Sequence, residues 1–277
     1  MNKNLNSINL NTENSTYIIA EIGMNHGGDL KTALELIDSA SKTGVDAVKF
    51  QTYITEKRAR KASPIFDILK KCELDFSDFI QLKDYAESKN LDFFSTPFDE
   101  ASFTHLQEIG CEIFKISSFD VVNKEFLKTI SNSNKTIILS VGMSDIDEIK
   151  TAYEILNSKE NNIALLHCVS SYPTDETNAD LNAIQTLKTH FNCIIGQSDH
   201  TSDIYVPSLA VAAGAQIIEK HYKISESMNC IDAPVSITEQ QMTQMILNIR
   251  RIEKIMGNPE LKLRIAEKPT QIFRRFK

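Results

Sequence analysis

Eight apolar runs in this 277-residue chain each end in side chains that are costly to bury without a partner. In chain order the ends read Glu21, Asn25 and His26; Lys49 and Gln51; Ser95 and Thr96; Lys115, Ser117 and Ser118; Ser140. They continue with His167, Ser170 and Tyr172; Gln197, Ser198, Asp199 and His200; and Glu219 and His221. One such end would be noise, whereas a succession of them describes a polar pocket. Two lysines among several hydroxyls offer compact positive charge and short donors, the combination a phosphate or carboxylate needs. His200 and His221 close neighbouring runs. Imidazoles from adjacent strand ends, about 4.8 Å apart, can share one divalent ion and leave coordination positions open. No thiolate stands in either motif, so a hard or borderline ion such as Mn²⁺ suits them. Two hydrogen-bonded histidines without metal are the alternative.

Spacing sharpens the list. Lys49 and Gln51 are two apart, as are Glu219 and His221, so each pair shares one face of a strand, and Lys220 turns to the other. Asp199 turns away from His200 by the same alternation and suits orienting a loop. Asp232 follows the eighth run and is open between a loop cap and contact with a sugar hydroxyl. His26 is open between a third participant and a loop residue, and His167 is ambiguous. His105 and His190 fall in helical runs and read as packing or surface residues.

A repeated strand–helix unit must position these groups. Strands are expected at "TYIIAEI" from Thr16, "DAVKFQ" from Asp46, "LDFFST" from Leu91, "CEIFKIS" from Cys111, "KTIILSV" from Lys135, "NIALLHC" from Asn162, "NCIIGQS" from Asn192 and "AQIIEKH" from Ala215. Between them run amphipathic helical patterns. The cleanest puts Leu30, Ala33, Leu34 and Ile37 on one face with Gly44 as a stop, and Ser144 and Thr238 read as N-terminal caps. Eight units, none polar enough for an edge, predict an α/β fold of the (β/α)8 TIM-barrel class over residues 16–258. The alternative is an open doubly wound sheet, but "GMNHGG" lacks the G-x-G-x-x-G spacing of a dinucleotide site. A polar arm is expected over residues 1–15 and a basic tail over 259–277. The connection from Thr52 to Asp75 is long and carries Lys57, Arg58, Arg60, Lys61, Lys70 and Lys71. It reads first as a solvated surface and second as a substrate-facing lid.

Composition limits the partners. A formal net charge of -7 disfavours a general nucleic-acid binder. No apolar run reaches membrane length, and the polar start shows no secretory h-region. The cysteines, Cys72, Cys111, Cys168, Cys193 and Cys230, form no C-x-x-C pair and read as reduced thiols of a cytoplasmic protein.

The ordered stretches "IIAEIGMNHGG", "DAVKFQTY", "FFSTPFD", "FKISSFD", "LSVGM", "LLHCVSSYPT", "IGQSDHT" and "IIEKHY" resemble the landmarks of the sialic acid synthase family. That family condenses phosphoenolpyruvate with an N-acetylated amino sugar to give a nonulosonic acid and phosphate, with C–O cleavage. The resemblance implies Lys49 and Thr96 at the carboxylate of phosphoenolpyruvate, and Lys115, Ser118, Ser140 and Ser198 around its phosphate. It implies His200 and His221 as ligands of a divalent metal, Mn²⁺ first with Mg²⁺ or Co²⁺ as alternatives, polarising the sugar aldehyde. Gln51, Tyr172 and Asp232 resemble amino-sugar contacts, and Glu21, Asp120 and Glu219 are the candidate proton-transfer acids. Ser170 and "KISSFD" resemble the branch acting on modified bacterial sugars, leaving N-acetylmannosamine and a diacetamido trideoxyhexose both open. Members generally continue into an antifreeze-like domain that caps the partner's barrel and donates an arginine to the sugar site. This chain reads as the barrel without it: either a separate polypeptide supplies the cap, or the enzyme works without it, or activity is lost, and a homodimer is open. A different barrel aldolase, or a non-catalytic sugar-binding or scaffold protein derived from the enzyme, are the rival readings.

Overall fold

At the start of each run, positions of both parities are apolar, which suits a sheet buried on both faces. The computed structural model describes residues 15–159 and 161–275 and closes that sheet into a barrel. The strands are β1 (Tyr17–Gly23), β2 (Ala47–Thr52), β3 (Asp92–Pro97), β4 (Ile113–Ile116), β5 (Thr136–Ser140), β6 (Asn162–Cys168), β7 (Ile194–Asp199) and β8 (Ile217–His221). Each pairs in parallel with its sequence neighbour, and β1 pairs with β8. All eight expected runs are strands, and closure removes the open-sheet alternative.

The helices are α1 (Leu30–Ala40), α2 (Thr55–Arg58), α3 (Phe66–Cys72), α4 (Phe76–Ser88), α5 (Glu100–Glu108), α6 (Lys124–Ser131), α7 (Ile146–Asn157), α8 (Ala183–His190), α9 (Tyr205–Ala212) and α10 (Glu239–Met256). α1 buries Ala33, Leu36, Ile37 and Ala40, while Leu30 and Leu34 sit half-buried at the edge of that stripe. Its expected face is thus rotated toward Leu36, which keeps the i, i+3, i+4, i+7 spacing. The cap of α7 is Asp145, not Ser144. Asp145 accepts from the N–H groups of Asp147 and Glu148, and Glu148 returns a bond to the Asp145 N–H. A carboxylate completes this reciprocal box, while the Ser144 hydroxyl donates to the Gly142 carbonyl. Thr238 caps α10 in the same way with Gln241.

Two apolar layers result. The larger lies between strands and helices and includes Ile18, Phe50, Phe114, Leu139 and Ile218. The smaller fills the barrel with Tyr17, Ile19, Ala47, Phe94, Ile113, Ile138, Leu166 and Ile217. Along the inward parity the character changes at one level. Ile19 is followed by Glu21, Ala47 by Lys49, Ile113 by Lys115, Ile138 by Ser140, and Ile217 by Glu219. Register aligns the change, since Glu21 is opposite Lys49 on β2 and His221 on β8. The apolar plug supports a polar upper layer at the strand C-termini.

The connection between β2 and α4 is not bare loop, because α2 and α3 lie within it. The polar arm lies, apart from Ser15, outside the described residues, as do residues 276–277 of the tail. Residues 259–275 are exposed along their length. Among the described residues no helix is long and apolar enough to cross a membrane.

Candidate active site

The polar layer opens into a cavity of about 350 Å³ at the C-terminal mouth of the barrel. A larger depression of about 930 Å³, beside Thr16, Lys188 and Arg250, gathers none of these strand-end groups. Of the residues expected at the site, the mouth cavity brings together Glu21, Lys49, Gln51, Thr96, Lys115, Ser118 and Ser140 from the first five strands. Tyr172, Ser198, His200, Glu219, His221 and Asp232 complete it. Asp120 stands apart, outside the lining. Its carboxylate accepts from Ser117 and Asn123 in the turn after β4, and burial pushes its pKa up.

One side of the cavity gathers two lysines and several hydroxyls, a set that could receive an anion. Lys115 Nζ donates to Ser140 Oγ at 2.6 Å and to the Ile116 carbonyl at 3.2 Å. Lys49 Nζ donates to Thr96 Oγ1 at 3.1 Å and pairs with Glu21 at 2.7 Å. Ser118 Oγ accepts from the Gly142 N–H, and a Cβ at Gly142 would come within 3.0 Å of that hydroxyl. Both lysines stand 3.8 Å from Glu219 Oε1, which also accepts from Ser198 Oγ at 2.9 Å. Burial lowers the Lys115 pKa. It opposes the charge on Lys49 too, but Glu21 and Glu219 outweigh it and hold that ammonium on.

The two buried acids are driven apart. Burial raises the Glu21 carboxyl, with Glu219 adding to the effect and Lys49 opposing it. Burial works against charge on Glu219 as well, but Lys115, Lys49 and Ser198 overcome it and hold that carboxyl below its ordinary value. Buried Glu219 Oε2 has no hydrogen-bond partner among the described residues. Environments that separate two carboxyls in this way fit them for opposite proton-transfer roles.

The other side carries the histidines. Their ring centroids lie 5.4 Å apart, with Tyr172 packed on His200 at 4.1 Å and edge-on to His221. His200 Nδ1 donates to the Val169 carbonyl at 2.9 Å, which fixes the tautomer and leaves Nε2 as the free lone pair. His221 Nδ1 and Asp232 Oδ2 face each other at 3.4 Å, and among the described residues neither buried atom has a partner within hydrogen-bond geometry. Burial works against charge on His221, but Asp232 raises its pKa overall. Asp232 is itself held in place, because its N–H donates to Asn25, whose amide donates to the Tyr222 carbonyl and Ser236. These nitrogen and oxygen donors fit a divalent ion of borderline hardness. Among the described residues no set of three or more His, Cys, Asp or Glu side chains is arranged to hold one. An ion held here would take the imidazole pair from the protein and its other positions from water or substrate.

The remaining polar residues sort by geometry. His26 accepts from the Gly28 N–H, and burial lowers its pKa to about 4, so it serves the loop as a neutral ring. His167 bonds the Ala179 carbonyl, away from the cavity, and His105 stacks on Phe76. Lys220 faces outward and pairs with Asp199 at 2.6 Å. Sequence reasoning missed the apolar wall of Ile65, Phe98 and Phe119 and the place of Cys168 in the lining. Phe98 directly follows a strand end, and that position was the available signal. Gly23 lies at φ +56°, where a Cβ would come within 2.8 Å of Asp232 Oδ2.

The NeuB family profile matches residues 36–261. The chain is 39% identical over 260 residues to the N,N'-diacetyllegionaminic acid synthase of Campylobacter jejuni, covering 88% of this chain and 78% of that protein. It is 36% identical over 281 residues to the synthase of the same name from Legionella pneumophila, covering 94% and 79%. Among solved structures, the N-acetylneuraminic acid (sialic acid) synthetase of Leptospira borgpetersenii, in complex with citrate, superposes with a TM-score of 0.92. That match has 41% identity and covers 94% of this chain and 92% of the other. The chain belongs to the NeuB family of phosphoenolpyruvate-dependent nonulosonic acid synthases.

Proposed function

We propose that this enzyme condenses phosphoenolpyruvate with a diacetamido trideoxyhexose, giving a diacetamido nonulosonic acid and phosphate. The observation that carries the reaction is one cavity holding a lysine–hydroxyl anion site, two buried acids of opposite pKa direction and an imidazole pair. The sugar is supported by the two diacetyllegionaminic acid synthases among the relatives and by the apolar wall of Met24, Ile65, Phe98 and Phe119. That wall suits the methyl groups of such a sugar. The likeness to the Leptospira sialic acid synthetase favours N-acetylmannosamine as the second reading.

In this reading Lys49 and Thr96 hold the carboxylate, and Lys115, Ser118, Ser140 and Ser198 hold the phosphate. Gln51, Tyr172 and Asp232 orient the sugar. A divalent ion, Mn²⁺ in the first instance, held by His200 and His221 would supply Lewis-acid polarisation of the open-chain aldehyde. C3 of phosphoenolpyruvate attacks the aldehyde carbon, and positive character develops at C2. Glu21, whose carboxyl burial keeps protonatable, delivers a proton to the new alkoxide. Water adds to C2 as ionised Glu219 accepts its proton through the free Oε2. The tetrahedral intermediate then expels phosphate by C–O cleavage: its C2 hydroxyl returns a proton to Glu21 as the carbonyl forms, Glu219 gives its proton to the leaving phosphate, and Lys115 with its hydroxyls receives the departing charge. Asp120 is left with the turn after β4.

The test is phosphate release from phosphoenolpyruvate with Mn²⁺ and a panel of N-acetylated aldoses, with product mass. Release is expected with the diacetamido sugar and is expected to collapse in His200→Ala and His221→Ala. Sugar-independent release, or release unchanged in both variants, would overturn the reading. Binding of the ligands without release would move the protein to a sugar-binding role.

A further inference from the structure

We infer that Arg58 is a specificity residue for the amino sugar, its guanidinium donating to the carbonyl oxygen of an acylamino group; this rests on the synthase reading above. Arg58 ends α2 and lines the cavity together with Gln51, to which it is bonded, and Asp232. It is not a free surface side chain. Its carbon Cζ lies 3.6 Å from the Phe98 ring centroid and 4.5 Å from that of Tyr53, in the corner of an edge-to-face pair of rings. The segment that leads into it is tied down at three consecutive residues. The Ile54 N–H donates to Asp99, the Thr55 N–H donates to Glu73, and the Tyr53 hydroxyl donates to the Leu69 carbonyl.

So fixed, the guanidinium is under-used. It makes one hydrogen bond among the described residues, from Nη1 to Gln51 Oε1 at 3.1 Å, and no ion pair. Arginine carries five N–H donors in a planar fork, so donors remain for a ligand. Three carboxylates, Glu21, Asp120 and Asp232, act on it across space without reaching it. Its apolar contacts are the faces of the Phe98 and Tyr53 rings, and Met24 and Ile65 line the same cavity. A phosphate or carboxylate finds its charge partners at Lys49 and Lys115. A cationic fork stacked on two aromatic rings, with donors to spare, instead matches a neutral acceptor with a methyl beside it, and an acetamido group is both.

The test compares the acetamido sugar with its thioacetamido isostere, whose sulfur is a poorer acceptor, in steady-state turnover. For the unaltered enzyme kcat/KM should favour the oxygen sugar by about tenfold or more. Arg58→Met keeps the stem on Phe98 but removes every donor. It should raise KM for the acetamido sugar about 10- to 100-fold, leave KM for phosphoenolpyruvate within about twofold, and bring the oxygen-to-sulfur preference near unity. Arg58→Lys keeps the charge without the fork and should retain a preference of about threefold or less. Melting temperature confirms that each variant is folded, and if one is not, the other decides. Equal losses on both sugars would mean that Arg58 acts only by holding Gln51, and would overturn the inference. So would a preference unchanged in either variant. An unaltered enzyme that turns over no N-acetylated sugar would instead overturn the synthase reading itself.

Discussion

Replacing Lys220 by methionine should be the costliest single change outside the cavity. The Lys220 side chain has 0% exposure and that of Asp199 2%, with 2.6 Å between charged atoms. They are direct partners across β7 and β8, each one residue before a site histidine. Lys220 also donates to the Thr201 carbonyl. Without it, Asp199 keeps the Thr201 hydroxyl at 2.7 Å and the Gln197 amide at 3.2 Å, two neutral donors for a full buried charge. Breaking a buried pair from one side costs about 3–5 kcal/mol. At about 2–4 °C per kcal/mol for a domain of this size, the melting temperature should fall by about 6–20 °C. Adding Asp199→Leu should recover much of the loss, because two apolar side chains leave nothing uncompensated. Differential scanning calorimetry of the three proteins at neutral pH reads both effects. A single-variant shift under 2 °C, or a double variant as unstable as the sum of the singles, would refute the reasoning.

Three further outcomes follow from the site. Lys115→Met removes the donor held by Ser140 and should raise KM for phosphoenolpyruvate about 10- to 150-fold in steady-state assays, with KM for the sugar little changed. Gly23→Ala places a Cβ against Asp232 at positive φ; it should cost about 1–2 kcal/mol in denaturant unfolding and lower kcat/KM for the sugar more than for phosphoenolpyruvate. The folded pKa of Glu219 lies below its ordinary 4.5, so its contribution to stability is present above that value and lost as pH falls through the folded one. Glu219→Gln should therefore melt lower than the parent at neutral pH, with a gap that narrows on acidification below 4.5; a gap that widens there would reverse the assignment.

The barrel was legible because its evidence is repeated. Each strand is an apolar run ending at the same kind of polar step, and parity alone placed Lys49 with Gln51 and Glu219 with His221. The same parity turned Lys220 outward, though not its pairing with Asp199, which depends on register between strands. Short α2 and α3 were not legible. Their order comes from ties to Asp99, Glu73 and Leu69, not from helical periodicity. The apolar wall escaped for a related reason. Phe98 and Phe119 sit in connections, where facing the cavity is decided by packing and no periodic pattern reports it. The roles of the acids also needed the folded environment. Glu21 and Glu219 look alike in sequence, and only their lysines and neighbours separate them.

The central claim is sugar-dependent C–O cleavage of phosphoenolpyruvate. Supplying phosphoenolpyruvate with ¹⁸O in the bridging position, together with the acetamido sugar, and following the label by mass spectrometry tests it most directly. The account predicts labelled phosphate and an unlabelled nonulosonic acid, with no phosphate formed when the sugar is left out. Label retained in the organic product, or labelled phosphate formed without sugar, would contradict it.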